Sequence, residues 1–152
     1  MPDMDFHLDR LLNLPNVTVF TCQYQEGFII LKLHLLNEGT TCPHCQNYTD
    51  HVHQTSSILV RDLSICGRGV HLHLPRRKFY CHQGKKYPTE RLEFLEMGRN
   101  FTSRYEEYIY EQVKQMTVEQ VSCQQQLTPE QVQEIFSRRA GTKKKIGANR
   151  RD

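Results

Sequence analysis

SILVRDLSICGRGVHLHLPRRKFYC, residues 57–81, decides how this chain is read. Leu72 and Leu74 alternate with His71 and His73, the two-residue period of a strand with one face buried and one polar. Between its halves lies Cys66-Gly67-Arg68-Gly69, whose glycines permit the positive φ of a tight turn. The stretch therefore predicts a β-hairpin. Pairing Cys66 with Gly69 across the turn places Cys81 opposite Gln54 and strands Cys66 at the far end, on the order of 40 Å away at ~3.3 Å per residue. Pro75 predicts an edge position or a bulge.

Just before the hairpin comes CPHCQNYTDHVHQ, residues 42–54, with Cys42 and Cys45 at the two-residue spacing of a metal knuckle. The hairpin carries Cys81 back towards that knuckle, but Gly84 stands where a second cysteine would complete a second pair. Fourth-ligand candidates are His53 and His82, with His44 and His51 also nearby. Three readings stay open: a zinc site of three cysteines and a histidine, a cysteine-lined vestige without metal, and a redox pair. Redox C-x2-C motifs open a helix after a strand, whereas CPHC lies between strands.

A hydrophobic content of 38% falls below the globular average of roughly 45–50%, so the predicted core is modest. The longest apolar run, GFIILKLHLL, is broken by Lys32 and His34, which excludes a membrane-spanning helix. The acidic start MPDMDFHLDR argues against a secretory signal. A cytoplasmic protein in a reducing compartment is expected, where the C-x2-C pair among the six cysteines favours metal or redox use over disulfides. The net charge of +3 hides two basic blocks, +6 over residues 61–86 and +6 over 138–152, in an otherwise acidic chain. Such blocks point to a localised polyanion contact.

Towards the N-terminus, DFHLDRLLNLP predicts a helix stopped by Pro15, and NVTVFTCQY with FIILKLHLL predicts a hairpin turning at Glu26-Gly27. After Arg99 the period becomes helical. Thr102 is an expected N-cap, as are Thr117 and Thr128, the latter two with capping-box partners at Gln120 and Gln131. TVEQVSCQQQLTPEQVQEIF has helix-turn-helix spacing: Val118 and Val121 pack one helix, Val132 and Ile135 anchor the other, and Leu127 fills the turn. Gln126 stands where the turn usually has glycine. On the second helix Thr128, Gln131 and Gln133 would face bases, with Arg138 and Arg139 towards phosphates. Arg76, Arg77 and Lys78 on the hairpin are the other expected phosphate contacts. The fold class is α+β: a β-rich module over residues 1–86, a helical one over 87–140, and a disordered basic tail over 141–152.

Taken in order, CPHC, VRDLSICGRGVHLHLPRRKFYC, YPTERLEFLE and SRYEEYIYEQVKQMTVEQVSCQQQLTPEQVQEIF resemble the N-terminal region of ISL-three family insertion-sequence transposases. The resemblance spans most of residues 1–139. It implies a zinc-ribbon-like domain and a helix-turn-helix ahead of an RNase-H-like catalytic domain with an Asp-Asp-Glu triad. The chain departs from that pattern at Gly84, and a truncated form without the catalytic region is expected. The expected protein is a nucleoid-associated, non-enzymatic fragment that binds zinc and the double-stranded DNA of transposon ends. The alternatives are a module that self-associates or pairs with full-length transposase as an inhibitor, and a non-functional relic.

Overall fold

The computed structural model describes residues 6–149. The chain divides between Thr102 and Ser103 into two compact units.

In the first unit, helix α1 (Phe6–Leu12) leads into strands β1 (Val17–Gln25) and β2 (Phe28–Leu35). The helix ends before Pro15, because Asn13 turns into the left-handed region at φ 52 and its N–H donates to the Asp9 carbonyl. Asp9 also ties the helix to the sheet: its carboxylate accepts from the Thr18 hydroxyl at 2.7 Å and the Val19 N–H at 2.6 Å. Glu26 and Gly27, both at positive φ, make the two-residue turn between β1 and β2. A bulge after Val19 shifts the expected alternation, so Val19 faces Leu33 while Thr21 faces Lys32.

Two short strands, β3 (Thr40–Thr41) and β4 (Tyr48–Thr49), form a separate small ribbon. The long hairpin follows as β5 (Val52–Ile65) and β6 (Arg68–Phe79). The main sheet has the order β1-β2-β6-β5, with β2 and β6 parallel. Val19, Leu31, Leu33, Val60, Val70, Leu72 and Leu74 fill its core, joined by Phe94 and Leu95 from the segment that follows.

The turn lies one residue earlier than the glycine pattern suggested. Cys66 and Gly67 take the positive φ values, 51° and 76°, so Ile65 pairs with Arg68. A bulge between Asp62 and Ile65 then puts Lys78, rather than Cys81, opposite Gln54. Cys81 still emerges at the knuckle end and Cys66 at the other. Pro75 explains itself by topology. It falls after His73, the last β6 residue paired with β2, and before Arg77, whose carbonyl accepts from the Glu90 N–H.

Residues 87–102, assigned by sequence to the helical module, pack in the first unit. The cause is a third row of backbone bonds: Phe79 N–H donates to Pro88, and Cys81 N–H to Lys86. Thr102 donates its hydroxyl to buried Asp62 at 2.7 Å.

The second unit holds α2 (Ser103–Val113), α3 (Val118–Gln125) and α4 (Pro129–Asn149). Tyr105, Ile109, Val121, Val132 and Ile135 are its buried apolar side chains. The expected disordered tail is a correction: residues 141–149 continue α4, and Arg150–Asp152 lie outside the described residues. Lys143 anchors that extension on Glu107 at 2.6 Å, a contact that low apolar content alone did not reveal.

Candidate metal centre and nucleic-acid interface

The β3–β4 ribbon carries the first knuckle. Cys42 N–H donates to the Asn47 carbonyl, Gln46 N–H donates back to Cys42, and Gln46 sits at φ 64. The turn after β6 repeats this pattern. Cys81 N–H donates to the Lys86 carbonyl, again five residues on, and Lys85 sits at φ 51, again four residues on. Cys81 thus matches Cys42, and Gly84 matches Cys45. The second knuckle keeps its backbone and lacks the cysteine side chain at Gly84.

The Sγ atoms of Cys42, Cys45 and Cys81 all lie within 4.8 Å of one another, with Cys45 and Cys81 at 3.3 Å. Cys42 and Cys81 are buried. A Cβ placed on Gly84 would stand 3.4, 3.5 and 3.8 Å from the sulfurs of Cys45, Cys81 and Cys42. The missing side chain therefore faces all three. Thiolates at this spacing suit zinc, which they would supply with three of its four preferred ligands. Zinc is the cofactor these residues fit, and the chain's set is incomplete at Gly84.

His53 and His82 do not join the cysteine group among the described residues. Their rings pack elsewhere: His82 against His51 at 5.2 Å and Tyr80 at 4.8 Å, and His53 against Tyr87 at 4.5 Å. His82 opens the turn that follows Cys81, and His53 stands on β5, so each ring is held by its aromatic neighbours and not by the knuckle.

The Asn47 backbone N–H, helped by Cys81, lowers the Cys45 thiol to about 7. At Cys81 the Gly84 N–H pulls the same way, but the Cys45 sulfur and burial outweigh it and the net shift is upward. Only a thiolate ligates, so metal binding competes with protons. Zinc affinity should accordingly fall more steeply with acidity below pH 7, where Cys45 regains its proton, than above it. Metal-competition titrations across pH 6–8 check this; an unchanged slope through 7 would place that proton elsewhere.

The three basic residues of the hairpin separate by strand alternation. Arg76 and Lys78 are exposed, beside Gln54, Ser56 and Thr89. Arg77 points to the other face, where it forks onto Glu90 at 2.8 and 2.6 Å and donates to the Asn37 carbonyl at 2.7 Å. Sequence reading missed Glu90 as its partner, although the KFYC and YPTE runs both alternate.

In the second unit Thr117 caps α3 through a reciprocal box with Gln120. Gln126 then takes the left-handed conformation at φ 56 and ψ 44, the role usually given to glycine. The Ser122 hydroxyl donates to the Leu127 carbonyl across the turn. Thr128 and Gln131 form a second box at the start of α4, with N–H to oxygen distances of 3.0 and 3.1 Å. Gln133 is exposed, in an open hollow with Glu119, Glu130 and Glu134. Arg138 binds buried Glu106 at 2.9 Å and Glu134 at 2.8 Å; Arg139 donates to the Ser103 carbonyl. Both arginines thus hold α4 to α2. Among the described residues of this unit the exposed cations are Lys114, Lys144 and Lys145, together with Lys143, which Glu107 keeps above its ordinary pKa.

A zinc knuckle pair on a β-sheet unit, followed by a helix-turn-helix, defines a class of DNA-binding protein. Comparison with family models gives the particular family. Residues 38–84 match the zinc-finger of transposase IS204/IS1001/IS1096/IS1165, and residues 90–140 match the helix-turn-helix domain of transposase family ISL3. The chain belongs to the ISL3 transposase family. No curated protein and no solved structure matches it. Among the described residues, no helix is long and apolar enough to cross a membrane.

Proposed function

We propose that this chain binds the terminal inverted repeats of an insertion sequence without cutting them. The observation that carries the reading is the α3–α4 turn, where left-handed Gln126 and the Thr128 cap present α4 as a recognition helix. Gln133 on its exposed side is the base-reading candidate, since glutamine can bond adenine through two atoms. The α4 start is acidic, so phosphate affinity comes from Lys144, Lys145, Arg76 and Lys78.

Salt-dependent binding to a labelled terminal repeat tests this. Replacing Arg76 and Lys78 together with alanine should weaken binding to every duplex and lower the salt slope by up to about 1.8, near 0.9 for each phosphate no longer neutralised. Gln133→Ala should instead cost roughly 1–3 kcal/mol on the preferred repeat and nothing on unrelated duplex. Equal weakening on both would remove Gln133 from the reading. Cleavage of the labelled end with magnesium present would overturn the non-enzymatic part.

A further inference from the structure

The far half of the β5–β6 hairpin shows an exposed face that neither the zinc site nor the helix-turn-helix uses. Three backbone rows build it. Ser56 and Gln54 on β5 lie opposite Arg76 and Lys78 on β6, and Lys78 lies opposite Thr89 in the row formed by residues 86–90. Directly opposed residues share a face. That face is lined by Gln54, Ser56, Arg76, Lys78 and Thr89, which form an open hollow.

Two residues past Lys78, just beyond the end of β6, stands Tyr80. Its ring is the hub of an aromatic group, 5.0 Å from Tyr87, 4.8 Å from His82 and 5.9 Å from His51. His53 extends the group through Tyr87 at 4.5 Å. The three histidines are exposed, and Tyr87 keeps 52% of its surface in solvent. Rings left exposed in a contiguous group mark an interaction surface. Close to these rings in sequence stand exposed Lys78, Lys85 and Lys86 and exposed Asp50, with exposed Arg76 two residues further along β6.

We propose that this face is a stacking platform for single-stranded DNA, with the aromatic group receiving unpaired bases and the Arg76–Lys78 end receiving the backbone. Ring faces cannot reach bases inside an intact duplex, whereas a sheet surface with exposed aromatics and flanking cations holds splayed bases well. The basic flank chooses a polyanion over an apolar peptide as occupant. The proposal rests on the chain being a nucleic-acid binder, and it adds a second kind of DNA, whose backbone would share Arg76 and Lys78 with the duplex while its bases take the aromatic group. An unpaired strand beside a repeat is the partner it fits.

Fluorescence anisotropy with a labelled deoxythymidine strand of about 16 nucleotides provides the test, using the zinc-loaded full chain. Tyr80→Leu and Tyr87→Leu should each weaken single-strand binding about 5- to 150-fold, the effect expected for one stacked base. Tyr87→Phe should retain it, because the π-face remains. Duplex repeat binding should be unchanged in all three. If Tyr80→Leu does not fold, as judged by zinc content and circular dichroism, the half-exposed Tyr87 decides alone. Leucine variants that bind the single strand like the parent would overturn the platform, and so would tighter binding to RNA of the same sequence. If Gln133→Ala leaves duplex binding intact while the tyrosine variants lose the single strand, the recognition-helix reading fails and the platform stands.

Discussion

Gly84→Cys is expected to tighten zinc binding about 10²- to 10³-fold. Apparent binding free energies of structural zinc sites run about 10–16 kcal/mol, so one ligand of four carries roughly 2.5–4 kcal/mol. The local backbone is ready for the change. Gly84 is not among the positive-φ residues, so a side chain meets no backbone strain there. Its Cβ would sit at ordinary van der Waals distance, 3.4–3.8 Å, from all three sulfurs. The turn already repeats the Cys42–Asn47 hydrogen bond as Cys81–Lys86. Gly84→Ala is the control: it adds the Cβ without the thiol and should leave affinity near the parent value. Competition against a chromophoric chelator measures both. Equal affinity for the cysteine variant and the parent would mean that the cysteine trio does not hold the metal.

The metal centre was legible because its logic is local. Two residues between Cys42 and Cys45, and two between Cys81 and Gly84, fix the knuckles whatever the rest of the chain does. The hairpin that joins them survived a register error of three residues, because either register brings Cys81 to the knuckle end. Patterns that depend on distant partners were not legible. Nothing near Arg77 announces that Glu90 will reach it, since residues 86–90 return beside β6 as an unforeseen third row. Arg138 and Arg139 read as phosphate ligands for the same reason. Their partner is Glu106, a buried carboxylate two helices earlier, and sequence gives no sign that a glutamate in an amphipathic helix will face inward. The extension of α4 past Ala140 follows suit, with Lys143 reaching Glu107 and Glu111. Charge runs name the ions but not their partners.

Arg77→Ala should destabilise the protein by about 3–5 kcal/mol, a large share of the roughly 5–15 kcal/mol that holds an ordinary domain together. The Glu90 side chain is only 5% exposed, and Arg77 meets both its oxygens while its guanidinium lies 5.1 Å from the centre of the Phe79 ring. Removing the arginine leaves that carboxylate buried without its principal partner, which costs far more than the intact pair contributes. The comparison that isolates this effect is Arg77→Met with Glu90→Leu. Removing both charges together should recover most of the missing stability, because no unpaired charge remains. Arg76→Ala and Lys78→Ala, on the exposed face, should change stability by less than about 0.5 kcal/mol. Denaturant unfolding of the zinc-loaded chain measures all four variants. The DNA consequence runs the opposite way: the salt slope should respond to Arg76 and Lys78 and not to Arg77. An Arg77→Ala protein of normal stability, with the slope reduced by about 0.9, would put its guanidinium on a phosphate instead. Three consecutive basic residues thus divide by strand alternation, the outer two facing solvent and the middle one holding the return of residues 86–90 against β6.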